Sequence, residues 1–220
     1  MSTVNHQNNF HYLTASLILL LMSAALLDSL PDESGHLFLQ AAVLITFGVS
    51  YKSLDFGTQW RRFVAVLAVL IVVSSIIHEF GSDHRASEVL DLSIMLTFFV
   101  GAAYRSSLQV LFSGKVDGNI ISGSMAIYLL LGLIWSSIYL LILEFSPNAF
   151  NGMAAAPWVD NFSTVTYFSF VSLTTLGYGD ISPAEPFSRV VVYLEAIIGV
   201  FYMAIVVASL IGAHKSQPND

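Results

Sequence analysis

The residues with the clearest potential for chemistry form one run, residues 174–180, which reads Thr-Thr-Leu-Gly-Tyr-Gly-Asp and is called the glycine run below. Glycine adopts backbone conformations that other residues avoid, so in a soluble protein Gly-Tyr-Gly-Asp would indicate an ordinary turn. Inside a membrane, irregular backbone is tolerated only where it is buried in protein or lines a wet cavity. In such a cavity, a row of backbone carbonyl oxygens can replace the hydration shell of a potassium ion. The chemistry of the run therefore depends on whether the chain crosses a membrane.

The composition is that of an integral membrane protein. The 220 residues are 55% hydrophobic and only 10% charged, with a mean hydropathy of +0.74, whereas soluble domains carry about 25% charged residues. Crossing a hydrocarbon core takes about 20 predominantly apolar residues. We predict an all-α membrane protein with six transmembrane helices, at residues 12–30, 36–51, 62–79, 88–105, 120–145 and 186–212.

Between the last two predicted spans lies a shorter apolar stretch, residues 162–173. As a helix it would be about 18 Å long, too short for a hydrocarbon core of roughly 30 Å. We predict a re-entrant pore helix that enters from the outer side and is followed by the glycine run. The C-terminal end of such a helix carries partial negative charge, which favours a cation beside it. The predicted K⁺ ligands are the carbonyl oxygens of Thr175, Leu176, Gly177 and Tyr178 and the Thr175 hydroxyl, with Gly179 completing the ion-binding segment.

The sequence from Phe168 to Pro183 resembles the pore helix and selectivity filter of tetrameric potassium channels. The family pattern is Thr-Val-Gly-Tyr-Gly-Asp, and this chain differs from it at Leu176, where valine is more usual. Leucine keeps an apolar side chain behind the filter and leaves its carbonyl available, so the resemblance implies selectivity for K⁺ over Na⁺. The likeness covers about residues 120–212. It implies a homotetramer of the six-helix prokaryotic type, in which each chain contributes one pore loop.

The distribution of positive charge predicts the orientation of the chain. Cytoplasmic loops of membrane proteins carry an excess of Lys and Arg. With both termini in the cytoplasm, six basic residues lie on the cytoplasmic side and two, Arg85 and Arg189, on the outer side. The six are Lys52, Arg61, Arg62, Arg105, Lys115 and Lys215. We therefore expect a multi-pass protein of the cell membrane with an acidic outer face.

The polar turn at residues 113–119 is the clearest internal boundary, because glycine and Asp-Gly favour a break in the helices. We predict a cytoplasmic N-terminal segment (1–11), a peripheral four-helix domain (12–112), a pore domain (113–212) and a cytoplasmic tail (213–220). Residues 106–112 mix polar and apolar side chains, which predicts a short helix at the cytoplasmic interface.

Several residues around the glycine run are further candidates for function. Thr174 and Asp180 flank it; Asp180 either caps a turn or belongs to an acidic ring at the outer mouth that concentrates cations. Glu195 is an acid inside an apolar helix, which marks a functional candidate, and a bracing role behind the filter is favoured over ion contact. Gly199 either permits close helix packing or acts as a hinge. Helical spacing from Gly199 predicts a cavity-lining face of Tyr202, Met203, Val206 and Leu210.

Voltage sensing is not expected from the fourth span. Steep voltage dependence needs about 3–4 gating charges per subunit. This span has Arg85 before it and Arg105 at its end, with Asp91 between them. The sequence therefore predicts a channel that is not steeply voltage-gated, and it leaves filter gating, membrane tension and movement of the inner helices open as alternatives.

The sequence favours a K⁺-selective channel over two other functions. One is a non-selective cation channel, against which the intact Gly177-Tyr178-Gly179 argues; the other is a regulatory or scaffold subunit of another channel. Zero cysteines exclude thiol chemistry, and no nucleophile–base or metal-ligand pattern indicates an enzyme. No basic run indicates nucleic acid binding. We expect lipid and further copies of the chain as partners, K⁺ as the permeant ion, no organic cofactor and no soluble ligand.

Overall fold

The fold is described by a computed structural model that covers residues 8–27, 32–54, 57–80, 84–111, 117–154 and 156–215, with side chains except at 27, 32–37, 75–80, 84, 207 and 210–215. Within these ranges there are seven α-helices and two short β-strands. The elements are α1 (Asn9–Leu27), α2 (Asp32–Ser53), α3 (Thr58–Phe80), α4 (His84–Leu111), α5 (Gly118–Phe145), β1 (Phe150–Asn151), α6 (Trp158–Leu173), β2 (Ser182–Pro183) and α7 (Pro186–Lys215).

Four helices of the described part are long and apolar enough to cross a membrane. They contain the stretches Asn9–Leu26, Arg85–Leu111, Gly118–Phe145 and Pro186–Val206. This agrees with an all-α membrane protein. The second and third predicted spans form the helices α2 and α3, and their crossing of the membrane stays a prediction.

Several predicted boundaries differ from the observed ones at the ends of helices, and the residues at two of these ends explain the difference. α1 begins at Asn9, three residues before the predicted span, because Asn9 and Phe10 are buried and bonded to neighbouring helices. The separate interfacial helix predicted at residues 106–112 is wrong, because α4 continues without interruption to Leu111. Residues 106–111 contain no glycine or proline, and Ser106 is fully buried. A mixed polar pattern there therefore belongs to the end of a long helix.

The first helix is fastened to the start of α5. The Phe10 amide donates to Asn119 Oδ1 at 3.0 Å, and the Thr14 hydroxyl donates to the Ser122 carbonyl at 2.9 Å. Gly123 makes the close approach possible, since a Cβ atom there would lie 2.7 Å from the Phe10 ring. α4 packs on the same helix. Two of the peripheral helices, α1 and α4, thus lie directly against α5.

The short helix α6 begins at Trp158, four residues before the predicted Phe162. Pro157 precedes it, and the fixed φ of proline suits a helix start. Its 16 residues make it about 24 Å long, still shorter than a hydrocarbon core. α6 packs on α5 through Phe168, whose ring centroid lies 5.4 Å from that of Tyr139 and 5.6 Å from that of Phe150. The re-entrant path of α6 through a membrane stays a prediction.

A small antiparallel sheet joins the loop before α6 to the segment that follows the glycine run. Phe150 pairs with Pro183 and Asn151 with Ser182. Next to the sheet, the carbonyl oxygen of Ala149 accepts hydrogen bonds from the Ala184 amide and the Ser188 hydroxyl, each at 2.8 Å. The segment that follows the glycine run is thereby fixed to the end of α5. The sequence did not indicate this sheet, because two-residue strands carry no periodic pattern.

Candidate functional site

The glycine run starts by turning its backbone N–H groups back onto the last turn of α6. The Thr175 amide donates to the Ser172 carbonyl at 2.9 Å, and the Leu176 amide donates to the Val171 carbonyl at 2.9 Å. The Gly177 amide also reaches the Val171 carbonyl, at 3.3 Å. These bonds satisfy carbonyl groups that an α-helix leaves open at its C-terminal end. The first part of the run is thus held firmly on α6.

Along the glycine run, residues with a positive φ alternate with residues without one. The φ angles of Thr175, Gly177 and Gly179 are +57°, +58° and +81°, whereas Leu176 and Tyr178 do not have a positive φ. In a regular strand successive carbonyls point to opposite sides; alternation of left-handed and ordinary residues turns successive peptide planes towards the same side. This alternation is compatible with the row of carbonyl oxygens that the sequence predicts, and the row itself stays a prediction.

Thr175 holds the least expected backbone conformation in the described part of the chain. It is the one non-glycine residue there with a positive φ, and for a β-branched residue such a φ is a genuine outlier. Strain of this kind costs of order 1–3 kcal/mol and persists where the surrounding structure over-determines it. Here that structure is the last turn of α6, whose carbonyls accept hydrogen bonds from the amides of Thr175 and Leu176.

The carbonyl oxygens of residues 175–178 accept no hydrogen bond from any described residue. The side chains of Leu176 and Tyr178 are 55% and 67% exposed on the single chain. A Cβ atom added at Gly177 or Gly179 would meet nothing within 4 Å. On the single chain the run is therefore open: its carbonyl oxygens lack donors among the described residues, and the side chains of Leu176 and Tyr178 are exposed.

Asp180 lies at the end of the run and bonds back to α6. Its carboxylate Oδ2 accepts a hydrogen bond from the Tyr167 hydroxyl at 2.7 Å. That hydrogen bond lowers the pKa of the Asp180 carboxyl below its ordinary value of 3.8, although partial desolvation acts in the opposite direction. Thr174, at the start of the run, donates its hydroxyl to the Phe170 carbonyl at 2.6 Å. Both ends of the run are thus fastened to the same short helix.

Glu195 is fully buried behind α6 and contacts two other helices. Its Oε2 accepts a hydrogen bond from the Tyr139 hydroxyl of α5, and its Oε1 accepts one from the Ser169 hydroxyl of α6 at 2.6 Å. These are the contacts that a bracing role would use, and the role itself stays a prediction. Tyr139 and Ser169 were not identified from the sequence, because they lie 56 and 26 positions away from Glu195. The one signal for them was that an acid inside an apolar helix needs hydrogen-bond partners.

Gly199 and Tyr202 lie on the face of α7 that packs on α5 and α6. A Cβ atom at Gly199 would come within 2.1 Å of the Leu173 carbonyl oxygen, so close packing requires glycine here. The Tyr202 hydroxyl donates to the Ser124 carbonyl at 2.5 Å, and its ring stacks on Tyr128 at 5.6 Å between centroids. Within the single chain Tyr202 thus packs on α5, and its contact with a water-filled cavity stays a prediction.

The other three predicted cavity residues differ from Tyr202 in their exposure. Met203 is 49% exposed and Val206 is half-buried, while the Leu210 side chain lies outside the described residues. The open side of α7 carries large apolar side chains at Tyr193, Leu194, Ile197, Ile198, Val200 and Phe201. Met203 fits an open face, and its contact with a water-filled cavity stays a prediction.

Comparison with known proteins supports a transport function for this part of the chain. Residues 126–214, which include most of α5, all of α6, the glycine run and nearly all of α7, match a protein-family model described as "Ion channel". A search of curated proteins and a search of solved structures found no match. The match supports ion channel activity in a membrane protein, which indicates a transport protein and not an enzyme.

Proposed function

We propose that the protein is a potassium-selective ion channel that conducts K⁺ passively across the cell membrane as a homotetramer. The glycine run of each chain supplies one quarter of the selectivity filter. The carbonyl oxygens of Thr175, Leu176, Gly177 and Tyr178 form successive rings of ligands around the axis, and the Thr175 hydroxyl adds a further ring. Such rings replace the hydration shell of K⁺.

The alternating φ angles at Thr175, Gly177 and Gly179 carry this proposal. Alternation turns successive carbonyls to one side, and those oxygens have no hydrogen-bond donor in the described part of the chain. Oxygen atoms without donors are costly to bury, and a partly dehydrated cation satisfies several of them together. The strained φ of Thr175 supports the same view, because strain of this kind clusters at ligand-binding sites.

The open surfaces of the single chain support an assembly of several copies. Only 17% of the Pro186–Val206 stretch is buried within the chain, compared with 50% for each of the other three candidate spans. Leu176 and Tyr178, which are also exposed, need apolar surroundings behind a filter. One glycine run per chain cannot enclose an ion, and four copies around an axis supply closed rings of oxygens. Neighbouring copies would cover α7 and the back of the run.

A flux assay on the purified protein tests the proposal. The protein is reconstituted in liposomes loaded with K⁺ or Na⁺, and uptake is followed in each salt with and without Ba²⁺ at the outer face. We expect K⁺ uptake to exceed Na⁺ uptake by at least tenfold and Ba²⁺ to abolish it. Equal uptake of the two ions would instead identify a non-selective cation channel. No uptake from well-folded protein would favour a regulatory or scaffold subunit.

The assembly is tested separately from the flux. Native mass spectrometry of the detergent-solubilised protein is expected to give a mass of four chains of 24.0 kDa each. If a sample that conducts in the flux assay contains monomers or dimers and no tetramers, the tetrameric filter is contradicted.

A further inference from the structure

We propose that Glu195 is a positioning residue for selectivity: it sets the geometry of the glycine run from behind by fixing α6 to both α5 and α7. The inference rests on the proposed function, because the atoms that it positions are the carbonyl oxygens that would bind K⁺. Glu195 itself does not face the open surface of the run, since it is fully buried.

The two oxygens of the Glu195 carboxyl divide their bonds between two helices. Oε2 accepts from Tyr139 on α5, and Oε1 accepts from Ser169 on α6. Ser169 precedes the glycine run by little more than one helical turn. A shift of the Glu195 carboxyl would therefore be passed to the C-terminal turn of α6, whose carbonyls hold the amides of Thr175 and Leu176.

A second contact on the same face of α7 holds the last residue of α6. Gly199 is one turn beyond Glu195 and packs against the Leu173 carbonyl oxygen. The Tyr128 hydroxyl of α5 also donates to that oxygen at 3.4 Å, and Tyr202 stacks on Tyr128. The face of α7 formed by Glu195, Gly199 and Tyr202 thus holds α6 at two levels, Ser169 and Leu173.

The chemistry of Glu195 indicates positioning and not simple packing. A buried polar group that lacks hydrogen bonds is costly, and an apolar side chain of similar volume is often as stable or more stable in its place. In the described surroundings, the groups that bond to the carboxyl are two hydroxyls, Tyr139 and Ser169. The carboxyl therefore contributes orientation, because its two short hydrogen bonds fix the relative positions of three helices.

Glutamine is the matched replacement because the surrounding groups can accept its amide. The Ser169 hydroxyl lies 2.6 Å from Glu195 Oε1 and also 2.8 Å from the Gly132 carbonyl oxygen. A glutamine oxygen can accept from Tyr139, while its NH₂ group donates to Ser169, which then donates to Gly132. Glu195→Gln thus keeps the connection between the helices. Glu195→Leu keeps the apolar volume and removes the connection.

Single-channel recording in planar bilayers with K⁺ on one side and Na⁺ on the other tests this inference. The reversal potential gives the K⁺/Na⁺ permeability ratio of individual assembled channels, so misfolded protein does not affect it. We expect Glu195→Leu to lower the ratio about tenfold, as loss of a buried hydrogen-bond partner would suggest, and Glu195→Gln to stay within about twofold of wild type. Ser137→Ala is the control, since among the described residues that buried hydroxyl bonds to the Leu133 carbonyl of its own helix and to no other helix.

Ser169→Ala keeps the inference testable if Glu195→Leu does not assemble. It removes one hydroxyl on α6, and we expect the permeability ratio to fall about fivefold while Ser137→Ala leaves it unchanged. A purely structural role would lower the unfolding temperature of the tetramer without changing the ratio.

The outcomes separate this inference from the proposed function. A wild-type channel that does not discriminate K⁺ from Na⁺ would overturn the proposed function and the inference with it. A selective wild type whose Glu195→Leu and Ser169→Ala variants keep the same ratio would overturn the inference alone. So would a Glu195→Gln channel as unselective as Glu195→Leu.

Discussion

Gly199 of α7 lies against the carbonyl oxygen of Leu173, so close that a Cβ atom on Gly199 would come within 2.1 Å of it. Leu173 is the last residue of α6 and immediately precedes the glycine run. The contact places a backbone group of α6 directly on α7. A glycine in this position has a packing reason that needs no hinge motion.

The Gly199→Ala variant tests that contact. The methyl group must displace the Leu173 carbonyl, so we expect a loss of roughly 1–3 kcal/mol in the free energy of unfolding and a reduced K⁺ conductance. Gly48→Ala is the matched control, because Gly48 is also inside a helix and a Cβ atom there would meet nothing within 4 Å. Thermal unfolding and single-channel conductance are measured on both. A Gly199→Ala channel with wild-type stability and conductance would contradict the packing role.

The Gly177→Ala variant tests the backbone of the glycine run. With a φ of +58° and open space around its Cα, alanine would be strained without a clash, at a cost of roughly 1–2 kcal/mol per subunit. We expect K⁺ flux to fall at least tenfold as the carbonyl row is lost. Gly57→Ala is the control, since Gly57 has a φ of +88°, has equally open surroundings and is distant in sequence from the glycine run. Equal flux in Gly177→Ala and wild type would argue against the carbonyl row.

The Tyr167→Phe variant tests the charge at the end of the glycine run by its pH dependence. The hydrogen bond from Tyr167 lowers the pKa of Asp180. The ionised, hydrogen-bonded form is therefore complete above the ordinary value of 3.8 and is lost only as the pH falls through the lowered pKa. A carboxylate at the mouth concentrates cations, so K⁺ current should persist at outer pH values down to about 4.

We expect Tyr167→Phe to raise the pKa of Asp180 and move the acid loss of current to higher pH. Current is recorded while the outer solution is titrated from pH 7 to 3. Asp180→Asn provides the baseline, because it removes the titrating group. A titration midpoint that is unchanged or lower in Tyr167→Phe would show that the hydrogen bond does not act on the conducting channel.

Weak voltage dependence is expected from the positions of the two arginines of α4. The Arg85 guanidinium donates to the Glu144 carbonyl at 2.6 Å and lies 5.6 Å from the Phe145 ring centroid, which fastens it to the end of α5. Arg105 alone is too few for the roughly 3–4 gating charges of a voltage sensor. Conductance is measured between about −150 and +150 mV, a range in which each gating charge would gain or lose several kcal/mol. A steep, saturating conductance–voltage curve would refute this expectation.

The long apolar helices and the glycine run could be predicted from the sequence because each depends on local pattern. Apolar runs of sufficient length specify α5 and α7, and Gly-Tyr-Gly specifies backbone that side chains would forbid. The start of α6 was placed four residues late, since Trp158 and Val159 follow Pro157 without a helical pattern of their own.

Contacts between distant residues could not be predicted in the same way. The partners of Glu195 and the pairing of Phe150 with Pro183 depend on how α5, α6 and α7 pack. The same holds for Tyr202: helical spacing shows which residues share a face with Gly199, but not what that face contacts. Packing against Leu173 and Ser124 decides it.

The central claim is that the carbonyls of residues 175–178 select K⁺, and the most direct test is the reversal potential of the purified wild-type channel in a planar bilayer. With equal K⁺ and Na⁺ concentrations on opposite sides, a permeability ratio of about 100 corresponds to a reversal potential on the order of 120 mV in magnitude, since a tenfold ratio is about 1.4 kcal/mol and one charge gains about 2.3 kcal/mol per 100 mV. We predict a reversal potential of this size, with the K⁺ side negative, because K⁺ leaves that side more readily than Na⁺ enters it. A reversal potential near zero from conducting channels would contradict the claim.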